Sequence, residues 1–326
     1  METIKLIIKN ANSSARKIKY GLVTTISKGY DAAACAAIAS EFGCDTAVTF
    51  NNPEKYANDS GEDIALMLGY KNIIKKSAEQ YLDNSTLIEA EFVSSGELGT
   101  GIVFTSFENE FKNNIVFIGE RGDKIWDKNR TDVNKEFRFE NEVFAGTSLI
   151  ENRLRVGYIV LPMPLYGASE WPSIHEISNS DEMKSFSIGG GYDRPIPRRI
   201  LETKGVKREM FGMEKKGAGF NYRYDNLNRI KRRMSEKSYK NFYVYYKNYK
   251  RTDLKVIKHW VKFLWETRTL YINYFLNKIG LNVKNKPLKE DGISNPGAAS
   301  YLFKWGIHEM VRRYRDALKT HENHME

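Results

Sequence analysis

A short loop between a predicted strand and a predicted helix carries residue types that can bind phosphate. The loop is Ser27-Lys28-Gly29-Tyr30-Asp31, and it offers a small hydroxyl, a flexible glycine and an acid. Backbone N–H groups at the start of a helix, together with the helix dipole, favour an anion such as a phosphate. The same residues also fit an ordinary strand–helix turn in which Asp31 is the N-cap. The loop by itself leaves both interpretations open.

A second acidic cluster follows another strand-like segment. The sequence GERGD, residues 119–123, comes directly after the apolar run at 114–118. Ligands of open α/β sheets bind beyond the carboxyl ends of the strands, which is where both Asp31 and Asp123 would lie. If the two strands are neighbours, both carboxylates can face one phosphate through Mg²⁺, a hard cation that prefers oxygen ligands. Each acid alone is an ordinary turn residue, but the pair predicts a nucleotide site.

The elements that would position these residues alternate between strand and helix in the first part of the chain. Strands are predicted at 22–26, 46–50, 72–75 and 114–118, with helices after the first loop and at 61–69. This order is typical of an α/β fold, and it predicts a parallel-sheet, Rossmann-like nucleotide-binding domain followed by a mainly helical region.

The later half of the chain has a different pattern. A capped helix start is predicted at 178–184, and the glycine-rich sequence from 189 opens a helix with proline in its first turn. Asp193 and Arg194 in that glycine-rich sequence could close over the site, because such loops supply mobile lids, but we favour ordinary capping and surface roles for both. Basic, aromatic-rich helices are predicted at 226–250, 253–279 and 298–319.

Charge is divided unevenly along the 326 residues, whose formal net charge is +10. Residues 1–200 hold 23 Lys and Arg against 28 Asp and Glu (−5), and residues 201–326 hold 28 against 13 (+15). The change of pattern and charge predicts a nucleotide-binding α/β domain over 1–200 and a basic helical region over 201–326 that completes the substrate pocket. A region of such charge either meets an anionic partner or presents a solvated basic face.

Tyrosines and lysines alternate in the first of these basic helices. They are Tyr239, Tyr243, Tyr245, Tyr246 and Tyr249 with Lys237, Lys240, Lys247 and Lys250. Such alternation can bind single-stranded nucleic acid by base stacking and phosphate contact. It also fits an amphipathic helix with core aromatics and exposed lysines, which is the interpretation we favour.

Composition and cysteine spacing bear on location. No segment approaches the about 18 uncharged apolar residues that a membrane helix requires, and the N-terminus lacks the pattern of a secretory signal. Cys35 and Cys44 lie at the two ends of one predicted helix, so we expect no disulfide between them. These features predict a cytoplasmic protein with no membrane partner.

The two motifs together resemble those of the PP-loop ATP pyrophosphatases, also called adenine nucleotide alpha-hydrolases. The chain is most similar to the branch that contains the synthetase domains of asparagine synthetase and β-lactam synthetase. The family loop S-G-G-x-D-S here reads SKGYDA at 27–32, so Lys28 replaces the first glycine and Ala32 the final serine. The family's second motif, G-E-G-S-D, is similar to the GERGD sequence at 119–123. The resemblance covers roughly residues 18–220.

This resemblance implies ATP and Mg²⁺ as cofactors and assigns roles to particular residues. Asp31 and Asp123 would hold Mg²⁺ on the ATP phosphates. Glu120 would lie near the acyl group and act as a base or orient the nucleophile. Lys215 or Lys216 would stabilise the charged transition state. The residues that would bind the nucleotide are Ser27, Lys28, Gly29, Tyr30, Asp31, Phe50 and Gly119.

Three functions are compatible with these residues. The resemblance implies a synthetase that adenylates a small molecule on a carboxylate or carbonyl oxygen and transfers the activated group to an amine or other nucleophile. The replacements at Lys28 and Ala32 favour instead a degenerate ATP-binding protein without turnover. The basic C-terminal half favours a PP-loop enzyme that modifies nucleic acid, such as tRNA. Neither the substrate nor the oligomeric state follows from the residues.

Overall fold

The structure, a computed structural model, describes residues 1–51, 59–83, 86–94, 98–136, 150–213, 221–222, 225–250, 264–265, 268–269, 271–279, 281 and 297–322. The chain divides into two compact units. The first takes in Met1–Tyr81, Val103–Phe139 and Asn152–Gly219, and the second takes in Leu82–Ile102, Glu140–Glu151 and Phe220–Glu326. Residue 200, where the sequence places a domain boundary, lies inside the first unit.

A five-stranded sheet in which all neighbouring strands are parallel forms the centre of the first unit. Its strands are β1 (Gly21–Thr25), β2 (Thr46–Phe50), β3 (Asn72–Lys76), β4 (Asn114–Ile118) and β5 (Ile159–Pro162). The spatial order is β3-β2-β1-β4-β5, so the direction in which strands are added reverses between β1 and β4. The predicted parallel α/β class is confirmed, and the bounds of β2 and β4 are those predicted.

Helices flank the sheet in the first unit, and other helices form the second unit. They are α1 (Glu2–Ala11), α2 (Tyr30–Ser40), α3 (Glu62–Met67), α4 (Ile88–Val93), α5 (Glu108–Phe111), α6 (Gly122–Ile125), α7 (Ile150–Val156), α8 (Trp171–Asn179), α9 (Pro195–Thr203), α10 (Leu227–Arg233), α11 (Glu236–Tyr249) and α12 (Ala299–Glu322). Short 3-10 helices cover Gln80–Asp83, Ile102–Phe107, Met163–Glu170, Asp181–Phe186 and Arg208–Met210.

Helix α2, which begins directly after the loop at 27–29, is largely buried. Its side chains are mostly alanines with no exposed surface, and small side chains allow a helix to lie close to a sheet. The helix contacts β1, β4 and α9. Cys35 on α2 and nearby Cys44 are both free and buried, and burial raises the pKa of the Cys44 thiol to about 12. Both cysteines therefore act as small hydrophobic residues.

Two predicted helices have different bounds in the structure. The helix start predicted at 178–184 is that of a 3-10 helix, which begins at Asp181 with Ser180 as N-cap residue but without a side-chain cap hydrogen bond. The preceding helix α8, Trp171–Asn179, was not predicted. The predicted helix at 226–250 is two helices, since Met234 and Ser235 are extended, with ψ values of 148° and 151°. Proline in the first turn of α9 is confirmed.

The second unit is helical, as predicted for the C-terminal region. Its core contains Phe242 of α11 and Trp305 of α12, whose rings meet edge to face at 5.6 Å. Buried Glu89 of α4 accepts hydrogen bonds from the Ser235 N–H and the Ser238 hydroxyl at the start of α11. Burial raises the pKa of the Glu89 carboxyl above its ordinary value.

The structure describes most of the last predicted helix but only part of the one before it. The prediction at 298–319 corresponds to α12. Of the prediction at 253–279, residues 264–265, 268–269 and 271–278 are helical, and most of the remainder lies outside the described residues. Within the described parts of the chain, no helix has the length and apolar character needed to cross a bilayer.

Candidate functional site

The loop between β1 and α2 lies at the carboxyl edge of the sheet. Gly29 is the N-cap residue of α2, with extended backbone (φ −71°, ψ 152°) and no side-chain cap hydrogen bond. The Gly29 N–H donates instead to Ser27 Oγ at 3.1 Å. Asp31 is half-buried in the first helical turn. The interpretation of Asp31 as an ordinary N-cap is therefore wrong, and its carboxylate lies at the site predicted for nucleotide binding.

The backbone of Lys28 is held from two sides. Its N–H donates to the Asp59 carbonyl at 3.3 Å, and its carbonyl accepts from the Gly212 N–H at 2.8 Å. Ser27 also forms an isolated antiparallel bridge with Ser60. These bonds fix the course of the loop, and they engage the Lys28 N–H in a protein hydrogen bond.

The second motif meets the first because β4 pairs directly with β1, in the register Gly21↔Asn114. After β4 the chain turns tightly, with the Gly122 N–H donating to the Gly119 carbonyl at 3.1 Å. A Cβ atom at Gly119 would lie 2.5 Å from the Asp31 carbonyl carbon, and one at Gly122 would lie 2.7 Å from Asp31 Oδ1. The expectation that the two strands are neighbours is confirmed, and the turn after β4 lies directly against Asp31.

Glu120 and Asp123 belong to this same turn. Both side chains are half-buried, and Asp123 lies in the first turn of α6. Between them, Arg121 has a left-handed backbone with φ +67°. The structure therefore brings the predicted metal ligands Asp31 and Asp123 to adjoining segments, with Glu120 beside them.

We expect Gly119→Ala to disrupt this contact. The new methyl group must push α2 and the β4 turn apart, because the nearest atoms belong to the backbone of Asp31 and Ala32. Overpacking of this kind costs about 1–3 kcal/mol. The matched control is Gly29→Ala, since Gly29 has φ −71° and the nearest atom to its Cβ would be Ser27 Oγ at 3.3 Å. Chemical denaturation measures both variants, and equal stabilities would contradict the close approach.

The side chains of Tyr30 and Phe50, which were predicted to bind the nucleotide, are engaged in packing elsewhere. Tyr30 is fully buried, and its hydroxyl accepts a hydrogen bond from Arg198 Nη2 at 2.5 Å. The Phe50 ring lies 5.0 Å from the Phe107 ring in an aromatic cluster at the end of β2. Tyr30 can therefore contribute only its backbone to a bound nucleotide, and the Phe50 ring is engaged in packing.

Tyr192 lies over the start of α2, a position that the sequence reasoning missed. The Tyr192 and Tyr30 rings are 5.0 Å apart, and a Cβ atom at Gly29 would lie 3.9 Å from the Tyr192 hydroxyl oxygen. Burial and the nearby Asp31 carboxylate raise the pKa of Tyr192 to about 12, so the hydroxyl stays protonated at neutral pH. The available signal was a tyrosine directly after three glycines, Gly189 to Gly191.

Asp193 and Arg194 anchor the glycine-rich loop. The buried Asp193 carboxylate accepts from the Gly189 N–H at 3.0 Å and pairs with Lys128 Nζ at 3.1 Å. Burial would raise the pKa of Asp193, but hydrogen bonds from Ser187 and Lys128 outweigh it and hold the pKa below its ordinary value. The surface role favoured for both residues is wrong, because Asp193 and Arg194 are buried, and their contacts give them an anchoring role.

Arg194 ties the same loop to the segment after β4. Its guanidinium donates to Asp127 Oδ1 at 2.9 Å and to the Asp123 carbonyl at 3.1 Å. Arg194 is 5% exposed. The candidate site thus lies where three segments adjoin: the β1–α2 loop, the β4–α6 turn and the glycine-rich loop.

Two predicted site residues, Lys215 and Lys216, lie outside the described residues. Among the residues that the structure describes, no group of three or more His, Cys, Asp or Glu side chains is arranged to hold a metal ion. A cation at Asp31 and Asp123 would therefore need further oxygen ligands from its substrate.

Comparison of the chain with known protein families, with curated proteins and with solved structures finds no match.

Proposed function

We propose that the protein is an ATP-dependent, AMP-forming synthetase of the PP-loop kind. It would adenylate a small molecule on a carboxylate or carbonyl oxygen, release pyrophosphate and transfer the activated group to an amine or other nucleophile. The observation that carries this proposal is the direct approach of the Gly119–Gly122 turn to Asp31. The two motifs that resemble the superfamily thus meet at the switch point between β1 and β4, the place where open α/β sheets bind ligands.

The carboxylates and the helix N-terminus at the carboxyl edge of the sheet fit Mg²⁺ and a triphosphate. Carboxylate oxygens of Asp31 and Asp123 suit a hard cation, which commonly takes its remaining ligands from phosphates and water. The positive end of the α2 dipole favours the same anion. When bound, Mg²⁺ would neutralise charge on the departing pyrophosphate.

The chain's own residues would then orient and activate the reactants. Asp31 and Asp123 fix the position of the phosphates, and Ser27 orders the loop through its bond to the Gly29 N–H. Glu120, which is half-buried in the β4–α6 turn, would accept a proton from the attacking nucleophile. A lysine at 215 or 216 remains the predicted electrostatic stabiliser.

The second candidate is a nucleotide-binding protein without turnover, and the departures from the family loop at Lys28 and Ala32 favour it. Ala32 lacks the hydroxyl that could hydrogen-bond the pyrophosphate. The N–H groups of Lys28 and Gly29 have protein acceptors, so a phosphate that bound to them would have to displace these acceptors.

One assay separates these candidates. The protein is incubated with Mg²⁺, pooled metabolites and ATP labelled in the α-phosphate, and labelled AMP is followed by chromatography. A synthetase forms AMP only in pools that contain its substrate. A binding protein retains ATP in equilibrium dialysis and forms no AMP in any pool. Loss of both binding and AMP formation would contradict both candidates.

A further inference from the structure

The outer face of α11 presents a ladder of aromatic and basic side chains. Tyr239, Tyr243 and Lys247 follow one another at intervals of four residues, so they share one face of the helix. The two tyrosine rings are stacked, with centroids 5.8 Å apart and an interplanar angle of 20°. Lys247 Nζ lies 4.8 Å from the Tyr243 centroid, and Lys231 Nζ of α10 lies 6.0 Å from the Tyr239 centroid. These four residues are called the tyrosine–lysine ladder below.

The ladder begins at the edge of the core-forming face of α11 and continues onto its exposed face. Phe242 is fully buried. Tyr246 lies edge to face with Tyr301 at 5.3 Å, and the Tyr245 ring is 5.5 Å from the imidazole of His308. The tyrosines of this helix are therefore divided between two faces. Tyr239 borders the core, whereas Tyr243 is half-exposed and contacts the ladder rings rather than the core cluster.

Charge around the ladder is strongly positive. Residues 227–250 contain eight Lys and Arg but a single acid, Glu236, and Lys240 pairs with that acid. Seven of the eight basic side chains are exposed: Arg229, Lys231, Arg232, Lys237, Lys240, Lys247 and Lys250. Such a surface complements a polyanion. Binding of phosphate groups alone would not require aromatic rings. The two stacked tyrosines therefore indicate a polyanion that also carries flat aromatic groups.

We propose that the tyrosine–lysine ladder binds single-stranded nucleic acid. Bases would stack on Tyr239 and Tyr243, because every unpaired base has an accessible π-face and a duplex hides that face. The ammonium groups of Lys231 and Lys247 are exposed at the ends of flexible stems, and they would move from the rings to phosphates. This proposal uses only residues of the second unit, and it does not depend on the proposed ATP chemistry.

Fluorescence anisotropy of the whole chain with labelled oligo(dT) and oligo(U) tests the proposal. We expect binding that weakens as salt increases, and weak competition by a duplex of equal length. Tyr243→Leu should weaken binding by about 5- to 150-fold, the effect of losing one stacking platform. Tyr243→Phe keeps the ring and should bind as the unchanged protein does. Circular dichroism melting confirms that both variants are folded.

The salt dependence of a lysine variant measures how many phosphates the ladder contacts. Lys247→Gln should reduce the slope of log affinity against log salt by about 0.7, the value for one phosphate contact to a single strand. Lys184→Gln is the matched control, because Lys184 is exposed and lies in the first unit. Absence of oligonucleotide binding at low salt would overturn the proposal. So would equal affinities of Tyr243→Leu and Tyr243→Phe, or binding only to vesicles that contain phosphatidylserine.

Discussion

Asp31→Asn is expected to abolish Mg²⁺-dependent ATP binding and AMP formation while the protein stays folded. Asparagine has nearly the same shape, so the contact of this side chain with Gly122 is kept. The substitution removes a charged ligand from a site that must neutralise a triphosphate. Loss of such an interaction costs several kcal/mol, and we expect a decrease of at least about a hundredfold in ATP affinity and AMP formation. Calorimetry with Mg²⁺–ATP and the labelled-ATP assay measure the two effects.

Asp45→Asn is the control for this substitution. Asp45 is exposed and immediately precedes β2, at the amino edge of the sheet, so the same change of charge there should leave binding intact. Asp123→Asn should resemble Asp31→Asn. If both carboxylates hold one cation, the double variant should lose little more than either single variant. Full AMP formation by Asp31→Asn would show that the proposed site is wrong.

Arg198→Ala is expected to destabilise the first unit by about 2–5 kcal/mol, the usual cost of truncating a large buried side chain to alanine. The Arg198 side chain is 0% exposed. Its guanidinium lies 5.2 Å from the Tyr30 centroid and 4.9 Å from the Phe211 centroid, and it donates to the Tyr30 hydroxyl. The substitution leaves a cavity and a buried hydroxyl without its donor. It also loosens the packing of α9 on α2, where the candidate site begins.

The adjacent Arg199 provides the control. Arg199 pairs with Glu182 at the surface, where both side chains are largely exposed. Surface ion pairs contribute about 0–1 kcal/mol, so Arg199→Ala should change the free energy of unfolding very little. Urea denaturation of the two variants gives the comparison. Equal losses for Arg198→Ala and Arg199→Ala would contradict the buried position of Arg198.

Local sequence patterns predicted most of the elements that carry the candidate site. The run at 114–118 is apolar throughout because a central parallel strand is covered on both sides, and the structure has β4 over the same residues. The break at Met234 and Ser235 was not predicted, because neither residue is a strong helix breaker. The extended backbone there accompanies the hydrogen bond from the Ser235 N–H to buried Glu89, a residue distant in sequence.

Short-range patterns were enough to predict the parallel α/β class and to locate the polar residues at the two strand ends. The pairing of β1 with β4 is known only from the fold, since parallel strands can pair at any separation in the chain. The fold also brings the Tyr192 ring to within 5.0 Å of the Tyr30 ring. That contact joins segments far apart in the sequence, and no local spacing encodes it. The sequence predicts phosphate binding by the loop at 27–31, and the acceptors of the Lys28 and Gly29 N–H groups are known only from the fold.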